Sequence, residues 1–255
     1  MGILESFVLG IVEGATEFLP VSSTGHLILV SELLRIPESD FLKTFEIAIQ
    51  LGAILSVAVL YWKSFLELEV LKRLVLGFIP TGIIGFAAYP FVKSYLLGSE
   101  VIVLWALLLG GIALIVFELI HKESDGAASP SEISYTQSFL IGLFQAIAIV
   151  PGVSRSAATI VGGLALGIRR VAIVEFSFLL AVPTMLAATG YDLLKNAGSL
   201  SSANVLSLAI GFVTSFVIAL LTIKLFLAFV RTRSFIPFGI YRIFVAALFF
   251  FFIFR

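Results

Sequence analysis

"EGATEFLPVSSTGH", from Glu13 to His26, sets two carboxylates, a run of three hydroxyls and a histidine around one proline. The surrounding stretch, about residues 2–34, is otherwise apolar and long enough to cross a bilayer, which takes roughly 20 such residues. Proline removes a backbone donor and clashes with the preceding turn. The stretch therefore reads as two short helices joined by a loop, a re-entrant hairpin that enters and leaves on one face. Irregular backbone at membrane depth persists only where protein buries it or where it lines a polar cavity, so Pro20 should face the protein interior.

Composition places that hairpin in a membrane. The chain has 255 residues, 60% hydrophobic and only 13% charged, with a mean hydropathy of +1.15, far from a soluble globular domain. Its 16 basic and 16 acidic side chains cancel, which removes the argument for a nucleic-acid partner or a polybasic lipid-surface patch. Cysteine is absent, so disulfides, thiol chemistry and cysteine metal sites are excluded. Glu5, Glu13 and Glu17 with no basic n-region argue against a cleaved signal peptide, so the N-terminus is expected to belong to the mature fold.

Six further stretches have the length of spanning helices: about 43–61, 74–92, 101–120, 171–191, 204–230 and 236–254. A second broken stretch, about 138–168, is interrupted at Pro151-Gly152. The two halves echo each other in order. Gly10-Ile-Val-Glu13 matches Gly142-Leu-Phe-Gln145, Pro20-Val-Ser22 matches Pro151-Gly-Val-Ser154, and "FEIAIQLGA" from Phe45 falls where "EFSFLLAVP" from Glu175 falls, all near an offset of 130 residues. Each copy is one hairpin plus three spans. Three is odd, so the second copy is inverted relative to the first and the hairpin tips meet near the midplane. The expectation is an all-α polytopic membrane protein, residues 1–255 as one domain, with six transmembrane helices and two re-entrant helix-loop-helix hairpins in an inverted repeat of about 1–121 and 138–255. Such threading puts Lys63, Lys72, Arg73, Lys122, Arg169, Arg170, Arg231 and Arg233 on one face, read as cytoplasmic, and Arg35, Lys43, Lys93, Lys195 and Arg255 on the other.

Glu13 and Glu17 lie one helical turn apart on one face. A charge at the bilayer centre costs about 2.5–3.5 kcal/mol on insertion scales, so a cation must offset the pair: a divalent metal, for which paired hard oxygens suit Mg²⁺ or Ca²⁺, or an arginine. Ser22, Ser23 and Thr24 are N-cap residues for the returning helix, whose inward amides and positive dipole end make an anion site. His26, three residues past Ser23, reaches that hydroxyl or a phosphoryl group beside it. The second break repeats the device: Ser154, Ser156 and Thr159 surround Arg155, whose planar fork suits phosphate or carboxylate. Blander readings apply elsewhere. Lys224 and Arg242 are expected to snorkel to the cytoplasmic interface, Glu46 and Glu175 to anchor helix ends, and Glu118 and His121 to sit wet at a span exit. The phenylalanines are expected to face lipid or to pack.

These groups describe a phosphate-handling centre inside a membrane. A lipid phosphate or diphosphate hydrolase fits, and so does an anion transporter working by alternating access. The segments "VEGATEFLPVSSTGH", "PGVSRSAATI", "EFSFLLAVP" and "SFIPFGIYR" closely resemble the bacterial undecaprenyl-diphosphate phosphatase family, over essentially the whole chain. The resemblance implies hydrolysis of undecaprenyl diphosphate to undecaprenyl phosphate and phosphate at the outer face of the cytoplasmic membrane, recycling the carrier lipid for peptidoglycan synthesis and conferring bacitracin resistance. It assigns Glu13 and Glu17 to metal and catalytic work with Mg²⁺ or Ca²⁺, Ser23 and His26 to nucleophile or acid/base roles, and Arg155 to holding the diphosphate. Ser22, Thr24, Ser154, Ser156 and Thr159 are the candidate substrate-binding hydroxyls. Whether Ser23 or a water attacks is open, and a flippase for undecaprenyl phosphate using the same cavity is the alternative. The expected partners are a long-chain polyprenyl diphosphate and the bilayer; a homodimer is compatible with the sequence.

Overall fold

Capping opens each half of the chain in the same way. Helix α1 (Ile3–Thr16) starts at Gly2, whose amide donates to Glu5 Oε2 at 2.6 Å. Helix α6 (Tyr135–Ala146) starts at Ser134, whose amide donates to Gln137 Oε1 at 2.9 Å while its Oγ accepts from Gln137 N at 3.1 Å, a reciprocal capping box. The structure is a computed structural model that describes residues 1–96, 99–196 and 205–253, with backbone alone for 93, 191–196, 252 and 253. Positions 204, 254 and Arg255, on which two of the expected spans and one face charge fall, lie outside the described residues, as do the side chains of Lys93 and Lys195.

Both proline-broken stretches fold as pairs of short helices. α1 is followed by a turn and α2 (Ser23–Leu33); α6 by one short helical turn, Ile147–Ile149, and α7 (Arg155–Ala165). α1 begins at Ile3 and α6 at Tyr135, α2 at Ser23 and α7 at Arg155, so each pair is 132 positions apart. The long helices are α3 (Asp40–Leu60), α4 (Leu68–Phe91), α5 (Glu100–Ile120), α8 (Arg170–Asn196), α9 (Val205–Val230) and α10 (Ile236–Ile253). Five of them, α3, α4, α5, α8 and α9, are long and apolar enough to cross a membrane, and α10 is a shorter apolar helix. α4 starts earlier than the hydropathy predicts because Glu69 and Arg73, one turn apart, pair at 2.8 Å and extend a helix that the apolar stretch alone would begin later.

The halves interlock. α1 packs on α9 and α6 on α4, so each hairpin leans on a long helix of the other half; α3 meets α8 and α9, and α5 meets α10. Lipid tails are as apolar as leucine, so helices associate there through close packing of small residues. A Cβ on Gly10 would stand 2.7 Å from the Gly211 carbonyl, and one on Gly142 would run into the carbonyl of Gly77. Between the halves lies a core around Phe18, Phe176, Phe178, Ile223, Phe226 and Phe235, all 0–2% exposed. Phe18 belongs to the first loop and meets Phe178 edge-on at 5.3 Å, which fixes that loop against α8. Other large apolar side chains, such as Phe86, Ile120 and Leu225, are exposed, as lipid-facing residues are.

One end of the bundle is tied by polar contacts that correct an expectation. Glu118 and His121 are not wet. Glu118 pairs with Arg170 at 2.8 Å with 5% of its side chain exposed, and His121 stacks on Phe117 with its Nε2 buried. Arg170 also bonds Glu123 and lies over the Phe235 ring, Arg169 meets Asp125 at 3.4 Å, and Arg73 donates to the Ile133 carbonyl. The polar linker is thereby pinned to both halves. In it, Glu132 accepts from Ala128 N and Ser129 Oγ, which hold its carboxyl below the ordinary range.

Candidate functional site

The two loops turn in the same way. Ser22 has φ 71° and ψ 96°, Ser154 has φ 77° and ψ 115°, a left-handed region that costs a non-glycine residue about 1–3 kcal/mol and that clusters at functional sites. Each serine then caps the returning helix: Ser22 Oγ accepts from Gly25 N at 3.4 Å and Ser154 Oγ from Ala157 N at 3.2 Å. The strain sends both chains back as α2 and α7, and the first residues of those helices, Ser23 and Arg155, occupy equivalent positions.

Ser23 and Arg155 meet on one carboxylate. Ser23 Oγ donates to Glu17 Oε2 at 2.6 Å, and Arg155 Nη2 lies 3.4 Å from Glu17 Oε1. Arg155 Nη1 is held at 2.9 Å by the carbonyl of Ser177 in α8. The Ser23–Glu17 contact, an O–H donated to a carboxylate at 2.6 Å, is a short, charge-assisted bond. Glu13, one turn before Glu17, is fully buried, and among the described residues neither of its oxygens has a hydrogen-bond partner. Buried carboxyl oxygens without partners are costly, and the Glu13–Glu17 pair could hold a hard divalent cation. Among the described residues no group of three or more His, Asp or Glu that could hold a metal ion is found.

His26 is engaged elsewhere. Its Nδ1 lies 2.7 Å from the Ser22 carbonyl and its Nε2 2.8 Å from the Tyr241 hydroxyl. A carbonyl only accepts, so Nδ1 carries the proton, and the lone pair of Nε2 receives the Tyr241 O–H. The imidazole that spacing puts within reach of Ser23 braces the strained Ser22 instead.

Of the candidate hydroxyls, Ser156 donates to the Leu19 carbonyl at 2.7 Å, joining the second hairpin to the first, and sits 3.1 Å from Ser154 Oγ. Thr159 Oγ1 is 2.6 Å from Ser177 Oγ. Both are fully buried, whereas Thr24 is exposed. Arg242 does not snorkel. It is 0% exposed and donates to five carbonyls: Pro20 at 3.4 Å, Gly152 at 2.9 Å, Val153 at 2.9 Å, Ala106 at 2.8 Å and Leu107 at 3.4 Å. One guanidinium from α10 thus grips both hairpin tips and α5. Tyr241 and Arg242 are the site residues that spacing missed; their signal was an arginine inside an otherwise apolar helix, expensive unless partnered. Gln145, the counterpart of Glu13, donates to Thr81 Oγ1 at 2.9 Å and Thr184 Oγ1 at 3.0 Å.

The family model described as "Bacitracin resistance protein BacA" matches residues 6–248. A protein of Sulfurihydrogenibium sp. named undecaprenyl-diphosphatase is 53% identical over 98% of this chain and 99% of its own length. One of the same name from Persephonella marina is 52% identical over 99% of this chain and 100% of its own. Another from Aquifex aeolicus is 49% identical over 94% of each. With nearly every residue under the family model, and full-length relatives at about half identity, the chain belongs to the bacitracin resistance protein BacA family.

Proposed function

We propose that this chain removes the terminal phosphate of undecaprenyl diphosphate, leaving undecaprenyl phosphate and inorganic phosphate. The names of its relatives support the substrate. The observation that carries the reaction is the line Ser23–Glu17–Arg155, a hydroxyl and a guanidinium from different hairpins on one carboxylate.

Arg155 binds the terminal phosphoryl oxygens in place of Glu17, and the first-turn amides of α2 and α7 add fixed dipoles. Glu17 takes the proton of Ser23 Oγ as that oxygen attacks the terminal phosphorus. The bond from phosphorus to the bridging oxygen breaks, and the lipid leaves as its monophosphate; water then hydrolyses the phosphoserine. Glu13 and Glu17 would hold a Mg²⁺ or Ca²⁺ ion, which when bound neutralises charge on the phosphoryl oxygens. His26 keeps Ser22 in its turn, and Ser23 stays aimed at Glu17.

The reading extends to topology. We read the chain as six spans and two re-entrant hairpins in an inverted repeat of about 1–121 and 138–255, in the bacterial cytoplasmic membrane, with the site open to the outer face. There it recycles the carrier lipid for peptidoglycan and confers resistance to bacitracin. The repeated offset of 132 and the crossed packing of α1 on α9 and α6 on α4 support this arrangement.

Purified protein in detergent, supplied with undecaprenyl diphosphate and Mg²⁺ or Ca²⁺, tests the proposal. Phosphate release by the wild type, reduced by about 10²-fold or more in Glu17→Gln and Arg155→Ala variants that remain folded, is the expected result. No release by the wild type with either ion refutes it and favours transport, which needs a bilayer.

A further inference from the structure

A cavity of about 460 Å³ lies between α4 and α8 beside the second hairpin tip, lined by Phe78, Gly82, Gly85, Ile149, Ala188 and Arg155 among others. Its walls are apolar, and Arg155 is the one charged residue among those lining it. Of its lining residues Phe86 on α4 and Ala188 on α8 are exposed, so the cavity opens to the outside of the helix bundle between the two. Thr81, Gln145 and Thr184, which also line it, fix its frame: Gln145 bonds both threonines, Thr81 donates to the Gly142 carbonyl and Thr184 to that of Leu180, each at 2.7 Å. The bonds join α4, α6 and α8, while Gln145 Oε1 and Arg155 Nε are buried without a hydrogen-bond partner among the described residues.

We propose that this cavity receives the isoprene units next to the diphosphate of the lipid substrate. The proposal rests on the reading of Ser23, Glu17 and Arg155 as a diphosphate site. Arg155 belongs to both places: it meets Glu17 on one side and lines the cavity on the other. An apolar slot with one guanidinium in it complements an amphiphile whose anionic end meets the guanidinium and whose body is hydrocarbon. Size limits what enters. Taking a methylene as about the ~30 Å³ that a water occupies in the liquid, the space holds on the order of 15 carbons, roughly three isoprene units, and the remainder of a longer chain stays in the bilayer. Gly85 controls the room: a Cβ there would have only Ile149 Cδ1 near it, at 3.9 Å, so a larger side chain fits the backbone and fills the slot.

The test compares the full-length wild type with Gly85→Leu, and with Ala188→Val as a companion, in detergent with Mg²⁺. Phosphate release is measured on C55, C15 and C5 prenyl diphosphates, and a diazirine-bearing C15 monophosphate maps the binding place independently of turnover. The Gly85→Leu protein is expected to show KM raised by about tenfold or more for the C55 and C15 substrates, with kcat and the C5 KM nearly unchanged. In the wild type the label falls within residues 78–89 or 184–188, and Gly85→Leu removes it. A label elsewhere in the wild type, KM values unmoved for every chain length, or an equal rise for C5 and C15, overturns the assignment. If the wild type releases phosphate from none of the three while the label still maps to the cavity, the phosphatase reading fails and the prenyl-phosphate slot stands.

Discussion

Replacing Glu17 and His26 in turn shows which of them deprotonates Ser23. The serine donates at 2.6 Å to Glu17 Oε2, while both imidazole nitrogens are committed to Ser22 and Tyr241. General-base catalysis contributes about 10²–10⁴-fold, about 2.7–5.4 kcal/mol at ~1.36 kcal/mol per decade, so Glu17→Gln should lose at least that much kcat. His26→Gln removes two neutral hydrogen bonds worth about 0.5–1.5 kcal/mol each, together about 1–3 kcal/mol or roughly 5- to 150-fold, through a loosened Ser22 turn. Level alone does not separate the two when these ranges overlap. The assay is therefore the pH profile of kcat for phosphate release from a C15 diphosphate. With Glu17 as base, the acid limb of the profile keeps its position in His26→Gln and in Tyr241→Phe, even where the rate falls. An acid limb that vanishes in His26→Gln but survives in the residual activity of Glu17→Gln refutes the assignment.

Other expectations concern the frame and the carboxylate pair. Arg242→Met leaves the carbonyls of Pro20, Gly152 and Val153 without their donor; at about 1–3 kcal/mol for each buried acceptor, even ~3 kcal/mol lowers the melting temperature by about 6–12 °C in a chain of this size. Trp62 and Trp105 report it by intrinsic fluorescence, and Arg242→Lys should recover part of the loss. Glu13→Gln should raise the Mg²⁺ or Ca²⁺ concentration for half-maximal activity by about tenfold or more, measured by titration of the chelated protein, with little effect on melting when metal is absent. Breaking the Glu118–Arg170 pair by Arg170→Met should cost about 3–5 kcal/mol, and the double substitution with Glu118→Met should melt closer to the wild type, as a thermal double-mutant cycle would show.

Much of this protein is local and therefore legible in one dimension. Bilayer solvent requires long apolar helices, and a proline followed by capping serines interrupts one at Pro20 and at Pro151-Gly152, whereas Pro80, Pro90 and Pro183 stay inside α4 and α8; the structure places helices within a few residues of the expected spans and breaks. Glu13, Glu17 and Arg155 stand out because ionisable groups in hydrocarbon need a reason, Ser23 because its hydroxyl opens the helix after Pro20 one turn from His26, and Arg155 does meet Glu17 across the two hairpins. Partners were another matter. His26 sits one turn from Ser23 in sequence, but its Nε2 is claimed by Tyr241, 215 positions away. Arg242 is buried rather than snorkelling because loop carbonyls from both hairpins converge on it. Spacing shows what a side chain can reach on its own helix. Which of two reachable bonds it makes depends on groups brought from distant segments, and in a low-dielectric interior the better-satisfied arrangement wins.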